Sequence, residues 1–338
     1  MAYPQGAAAL AERPTDSLWM AALPTAIRDL LPTRPVAVPA VRPAHGRLAE
    51  LPAAITDMTV STDGRHLVAA HQAADAVSVI DVATLTLRAT VEVAEPRSVV
   101  AADRGYVSSG CAEGDRIVAV DLEVGAVLGA REVGLSVGGM AVSPGGELLY
   151  VARRGEERSD IAVVDVETGA TTTIPVSRAA EASLDTLRID AEGKRLYGAL
   201  RTPCAGQLLG VDPHAGRVVN TVTLGASIGD VAVHRDGRRI FATGWKSGLG
   251  GVLTVADAAT GRVIDTVASG GLALQLVLGG DRIYLAADDR VVVLDADTRR
   301  VLDRIDIGGP VSCVALSADQ RCLYVAGYDG TLTALAAA

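Results

Sequence analysis

Apolar and polar residues alternate along this chain in short runs, and the runs recur. Segments of the type Leu149-Tyr150-Val151-Ala152 return as Leu67-Val68-Ala69, Gly105-Tyr106-Val107, Leu196-Tyr197-Gly198, Ile240-Phe241-Ala242, Ile283-Tyr284-Leu285 and Leu323-Tyr324-Val325, at a mean spacing of about 43 residues. Alternation with period two predicts half-buried strands, and this spacing is that of a four-stranded propeller blade. An alternating strand such as Met140–Ser143 or Val231–His234 precedes each anchor segment. Hairpin signals separate the two, as at Asp63-Gly64, Gly145-Gly146, Glu192-Gly193, Asp236-Gly237 and Gly279-Gly280.

A variable loop follows each anchor, and then a third strand ending in aspartate: Asp81, Asp121, Asp165, Asp212, Asp257 and Asp295. These carboxylates are expected to accept backbone N–H groups of the turn that follows, because one per unit spreads them too far apart to share a calcium ion. Turns such as Ala259-Thr260-Gly261 lead to a fourth strand, for example Val263–Val267. The pattern gives seven units. The last has only three strands, ending with Thr331–Leu335, while Arg47-Leu48-Ala49-Glu50-Leu51 stands where a fourth strand lies elsewhere. That early segment is predicted to complete the last unit and close a ring, leaving no unit with an unpaired end.

Val142-Ser143-Pro144-Gly145-Gly146, followed by Tyr150-Val151-Ala152-Arg153, and the copy Tyr324-Val325-Ala326-Gly327 carry a family likeness. The units resemble the YVTN-type, lactonase-like seven-bladed β-propellers over about residues 46–338. The resemblance implies an all-β ring of four-stranded antiparallel blades. It implies no single activity, since such propellers include surface proteins, lactonase-like enzymes and dehydrogenase subunits.

Residues 1–45 fall outside the repeat and are expected to form an arm. Thr15-Asp16-Ser17 can cap a short helix through Leu23, and Thr25–Leu31 a second, so that Leu18, Trp19, Leu23, Ile27, Leu30 and Leu31 share one apolar side. Pro32, Pro35, Pro39 and Pro43 make the following stretch a stiff spacer. The arm is expected to dock on its own ring, on a partner protein or on a second copy of the chain.

Composition narrows the function. With 49% apolar residues and 21% charged, the 338-residue chain can bury a large core. Its 31 basic and 40 acidic residues leave a net charge of -9, the wrong sign for a nucleic-acid or anionic-lipid partner. No apolar run is long enough for a membrane span, and residues 1–30 lack the pattern of a secretory signal, so a cytoplasmic location is expected. Cys111, Cys204, Cys313 and Cys322 show no CxxC spacing, in keeping with a reducing compartment. A turn at 317–320 would set Cys322 opposite Ala315, away from Cys313.

Catalytic motifs fail on context. Gly134-Leu135-Ser136-Val137-Gly138 and Gly225-Ala226-Ser227-Ile228-Gly229 match GxSxG, but no helix follows either serine, as a nucleophile elbow requires. His45, His66, His71, His214 and His234 lack metal-ligand spacing. Metal-dependent propeller lactonases, as the resemblance implies, surround calcium or zinc with asparagine and carboxylate side chains; this chain has only Asn220, in a fourth strand. No catalytic residue, cofactor or metal ligand is assigned.

The expected function is therefore that of a non-catalytic scaffold or binding protein for a protein partner. The alternative implied by the resemblance is a lactonase-like hydrolase, or a structural dehydrogenase subunit, binding a small molecule at the central channel. In a propeller, the blade connectors and the loops between second and third strands share one face. The candidate binding residues there are Asp57, Arg97, Arg178 and Asp230 at blade junctions, with His71, Arg153, Arg201, Trp245, Lys246, Asp288 and Tyr328 in the loops. Six of the ten aromatic residues are committed to the anchor position, which leaves Trp245 and Tyr328 as free anchors on this face.

Overall fold

A computed structural model of the chain describes residues 51–110, 114–224 and 227–337, together with the backbone of Pro43–Leu48. Strands in this region form seven four-stranded antiparallel sheets. Their innermost strands, one per blade, are Asp57–Val60, Pro96–Ala101, Ser136–Val142, Ser183–Ile189, Ser227–Val233, Ala273–Gly279 and Val311–Leu316. Six blades run from inside to outside in chain order. In the seventh the outermost strand is Pro43–Leu48, laid antiparallel on Leu332–Ala336. The architecture is a seven-bladed β-propeller.

The closing strand begins four residues earlier than the expected Arg47–Leu51, and only Arg47 and Leu48 belong to both. Arg47 stands opposite Thr333 and Leu48 opposite Leu332. A strand through Leu51 would run into Pro52, which has no N–H to give a ladder. Ile55, a few residues on, is instead fully buried against blades 1 and 7.

The core is divided. Seven apolar clusters lie one at each blade junction, as where Val68, Val77 and Val79 of blade 1 meet Val99, Val107 and Val118 of blade 2. The repeated anchors Tyr106, Tyr150, Tyr197, Phe241, Tyr284 and Tyr324 are all buried. Each faces a residue of its innermost strand: Val100, Ala141, Arg188, Ala232, Val277 and Ala315 respectively. Five are small or aliphatic, which leaves room for the ring. Arg188 is the exception.

The third-strand aspartates behave as their turns require. Asp165 Oδ1 accepts the N–H groups of Glu167 at 3.2 Å and Thr168 at 2.8 Å, and Asp257 and Asp295 repeat the pattern two and three residues on. These bonds hold each carboxyl below the ordinary aspartate value.

Ser136 and Ser227 each open an innermost strand, with no helix beside them. The expected arm helices, and Cys111, lie outside the described residues. Among the described residues the only helical turn is Gln72–Ala74, and no helix is long and apolar enough to cross a membrane. Cys204, Cys313 and Cys322 are free. Ala315 faces Tyr324 rather than Cys322, because the turn closes between Ser317 and Cys322, where the Ser317 N–H donates to the Cys322 carbonyl at 2.9 Å.

Candidate functional site

Every innermost strand starts at the face carrying the blade connectors, here the upper face. In blades 2 to 7 its register slips at that point, as between Val137 and Met140 or between Ile228 and Val231. A bulge re-aims the side chain that it carries. Two residues before the position facing the anchor stand Ser98, Gly139, Thr186, Asp230, Gln275 and Cys313, and Asp57 takes the equivalent place in blade 1.

Among these positions Asp57, Thr186, Asp230 and Gln275 stitch neighbouring blades together. Asp57 Oδ2 accepts the Val99 N–H at 2.9 Å, Asp230 Oδ2 accepts that of Leu276 at 3.1 Å, and Gln275 Oε1 accepts that of Val314 at 2.7 Å. Each bond runs to the next blade, one position further along its innermost strand. Thr186 Oγ1 donates to the Gly229 carbonyl at 3.1 Å. At Gly139 the neighbouring strand comes too close for any side chain: a Cβ there would lie 2.6 Å from Leu187 N.

The ring encloses a cavity of about 340 Å³ at the channel mouth, in which the charged lining residues are Asp57, Arg97, Asp185, Arg188 and Asp230. Arg188 Nη2 pairs with Asp230 Oδ1 at 3.0 Å. Arg97 pairs with Glu95 at 3.0 Å and Asp115 at 3.3 Å, and Asp185 with Arg201 at 2.9 Å. Asp57 alone has no ion-pair partner among the described residues. Burial raises its carboxyl above the ordinary value, against the Val99 N–H and the charge of Arg188, which lower it. Burial raises Asp230 as well, opposed first by Arg188. The Cys313 thiol beside them is pushed up by burial and by the Asp57 charge, which keeps it protonated.

A larger cavity of about 1070 Å³ opens on the opposite face beside blades 4 to 6. Arg188 is the one residue lining both.

The sequence itself places the chain among known proteins. It is 32% identical to the seven-bladed beta-propeller protein Rv1057 of Mycobacterium tuberculosis, across 84% of this chain and 82% of that one. The chain belongs to this family of seven-bladed β-propeller proteins. A seven-bladed beta-propeller protein of Mycolicibacterium smegmatis is 38% identical over 69 residues, 20% of this chain and 19% of that one. A family model of the WD domain, G-beta repeat, matches residues 306–333, from the end of blade 6 into blade 7. Kuenenia stuttgartiensis hydrazine synthase superposes with a TM-score of 0.76 at 22% identity, covering 86% of this chain and 97% of that one, a likeness of fold alone.

In this propeller Asp57, Arg97 and Asp230 come together at the mouth, where their repeat positions put them. Arg153 does not join them: it is held by Asp160 at 2.7 Å and the Val133 carbonyl at 3.1 Å. Arg153, Arg201, Trp245 and Lys246 stand in second strands rather than in loops, and so does His71, the last residue of its strand. It is fully buried, its ring nitrogens engaged by the Ala53 carbonyl and Ser78 Oγ, both at 2.9 Å, so it has nothing to offer a ligand.

Arg178, Arg201, Lys246 and Asp288 are exposed on the upper face, with Arg201 tied to Asp185 and Asp288 accepting the Leu272 N–H at 3.3 Å. Trp245 and Tyr328 are 50% and 53% exposed there. Leu18, Trp19, Leu23, Ile27, Leu30 and Leu31 lie outside the described residues. Arg188 was not among the sequence candidates. The signal was available in an arginine occupying a slot that holds Val100, Ala141, Ala232, Val277 or Ala315 in other blades.

Proposed function

We propose that this propeller is a non-catalytic binding protein that presents its upper face to a protein partner. One observation carries the reading: among the described residues, the aromatic side chains outside the buried anchor position, Trp245 and Tyr328, are both half exposed on that face. Leu249 and Leu272, 39% and 45% exposed, lie in a loop and a connector of the same face. Trp245 stands opposite Gly251, whose backbone abuts Gly271 beside Leu272, which brings these parts of the face close together. Rigid aromatic side chains at a solvated rim are the usual anchors of protein interfaces. Lys246, exposed next to Trp245 in the same strand, adds positive charge to the surface.

Photo-cross-linking in the native cell tests the reading, with the reactive side chain placed at Trp245, at Tyr328 or at the outer-strand control Ile264. The expected result is one protein captured from both upper positions and absent from the control. With that partner purified, Trp245→Ala is expected to weaken binding by at least roughly tenfold. Identical capture from all three positions, or unchanged affinity in the variant, refutes the assignment of the face.

A further inference from the structure

We propose that the channel mouth binds a small primary amine that also carries oxygen acceptors, with its ammonium group on Asp57. The inference is independent of the protein-partner reading and concerns the cavity of about 340 Å³ enclosed by the innermost strands, a volume near the lower end of those that take small ligands.

The charges define what is missing. Of the five charged residues lining this cavity, Arg97, Asp185, Arg188 and Asp230 have ion-pair partners, and Asp57 has none among the described residues. Its carboxylate accepts the N–H groups of Met58 at 3.0 Å and Val99 at 2.9 Å and the Ser98 hydroxyl, with Gln275 Nε2 further off at 3.5 Å. Two carboxylate oxygens offer about four lone pairs, and the one that Gln275 holds only at 3.5 Å is open to a stronger donor from the cavity, which Gln275 also lines. The missing complement is a cation.

The hydroxyls say which kind. Thr56 Oγ1 donates its proton to the Ala70 carbonyl at 3.1 Å, and Ser312 directs its own to Cys313 Sγ at 3.8 Å. With their protons committed, both present lone pairs. Asp57, Thr56 and Ser312 all line the cavity, so each can accept an N–H of an ammonium group held there. A divalent metal ion would call for several oxygen ligands, commonly with more than one carboxylate. No group of three metal-ligating side chains occurs among the described residues.

The opposite polarity comes from Arg188. Two of its five N–H donors go to Asp230 and the Leu187 carbonyl, both at 3.0 Å, and its side chain is 37% exposed. The remaining donors suit a ligand oxygen. An amine bearing oxygen acceptors, the chemistry shared by amino acids and amino alcohols, satisfies both sides.

Calorimetric titration of the full-length protein with alanine, ethanolamine, propionate, potassium chloride and magnesium chloride tests this. Saturable binding is expected for the two amines and for none of the other three. Asp57→Asn is expected to weaken amine binding by roughly tenfold or more, the effect of losing a charged hydrogen-bond acceptor. Asp57 also holds blade 2, so Ser312→Ala, which removes an acceptor and no bond between blades, is the second variant, with an expected loss of roughly threefold. Arg188→Gln distinguishes the two ligand classes, weakening alanine more than ethanolamine if the natural ligand carries a carboxylate. The proposal is overturned if neither amine binds the wild-type protein, if propionate or either salt binds as well as the amines, or if both the Asp57 and Ser312 variants bind amines like the wild type.

Discussion

The Asp230 carboxylate and the Leu276 backbone N–H lie 3.1 Å apart across the junction of blades 5 and 6. The same carboxylate accepts the Val231 N–H at 2.8 Å and holds Arg188 at 3.0 Å, so one buried side chain ties together blades 4, 5 and 6. Replacing it by alanine strands three donors in a place with little water. Asp230→Ala is expected to lower unfolding free energy by about 3 kcal/mol. Asp230→Asn keeps an acceptor for the backbone and is expected to cost about 1 kcal/mol. Urea unfolding at neutral pH measures both, and equal losses would mean that these backbone bonds are not what the carboxylate contributes.

The repeat made this arrangement half legible. Strand alternation, hairpin turns and third-strand aspartates are local signals, and they located the blades, the closing partner and the shared level of Asp57 and Asp230. What depends on contacts between blades was hidden. Arg153 carries the same charge as Arg188, yet it folds back on Asp160, while Arg188 projects toward Asp230. Position along the innermost strand, with its bulges in blades 2 to 7, sets which of its side chains reach a neighbouring blade. His71 illustrates the converse, since a histidine near a loop reads as accessible until Ala53 and Ser78 are found on either side of its ring.

Acid should act on two opposed sets of carboxyl groups. Burial by itself would raise Asp63, but hydrogen bonds from Ser61 Oγ and from the Arg65 N–H and guanidinium outweigh it and hold the group at about 2. Asp236 is likewise held at about 2, burial being outweighed by the Arg238 N–H, His234 and Arg239. Groups depressed in the folded state contribute stability above the unfolded value of 3.8, and lose it as pH falls toward about 2. Asp57 and Asp230, raised by burial, cost stability when ionised, and that cost is relieved as pH falls through their folded values toward 3.8. The wild type is therefore expected to exceed an Asp63→Asn variant by about 1 kcal/mol near neutrality after solvent screening. The gap should close between 3.8 and about 2. Urea midpoints measured across this range check it, and a gap that persists at the acid end would rule out the charged turn as its source.

Closure of the ring makes the sharpest demand on a few residues. Leu332 and Ala334 are buried in the cluster that joins blades 7 and 1, and their strand has Pro43–Leu48 as its outer neighbour. Without that neighbour the strand is an open edge, with a row of unpaired N–H and carbonyl groups able to pair with another chain. A chain beginning at residue 49 is expected to lose its single cooperative unfolding transition and to associate as concentration rises. A chain beginning at residue 43 keeps the ladder of Arg47 with Thr333 and Leu48 with Leu332, and is expected to unfold in one step. Light scattering after size exclusion, together with thermal circular dichroism on both truncations, separates the outcomes. If the shorter chain stayed monomeric and cooperative, blade 7 would be stable with three strands, and the early strand would be an accessory to the ring rather than its clasp.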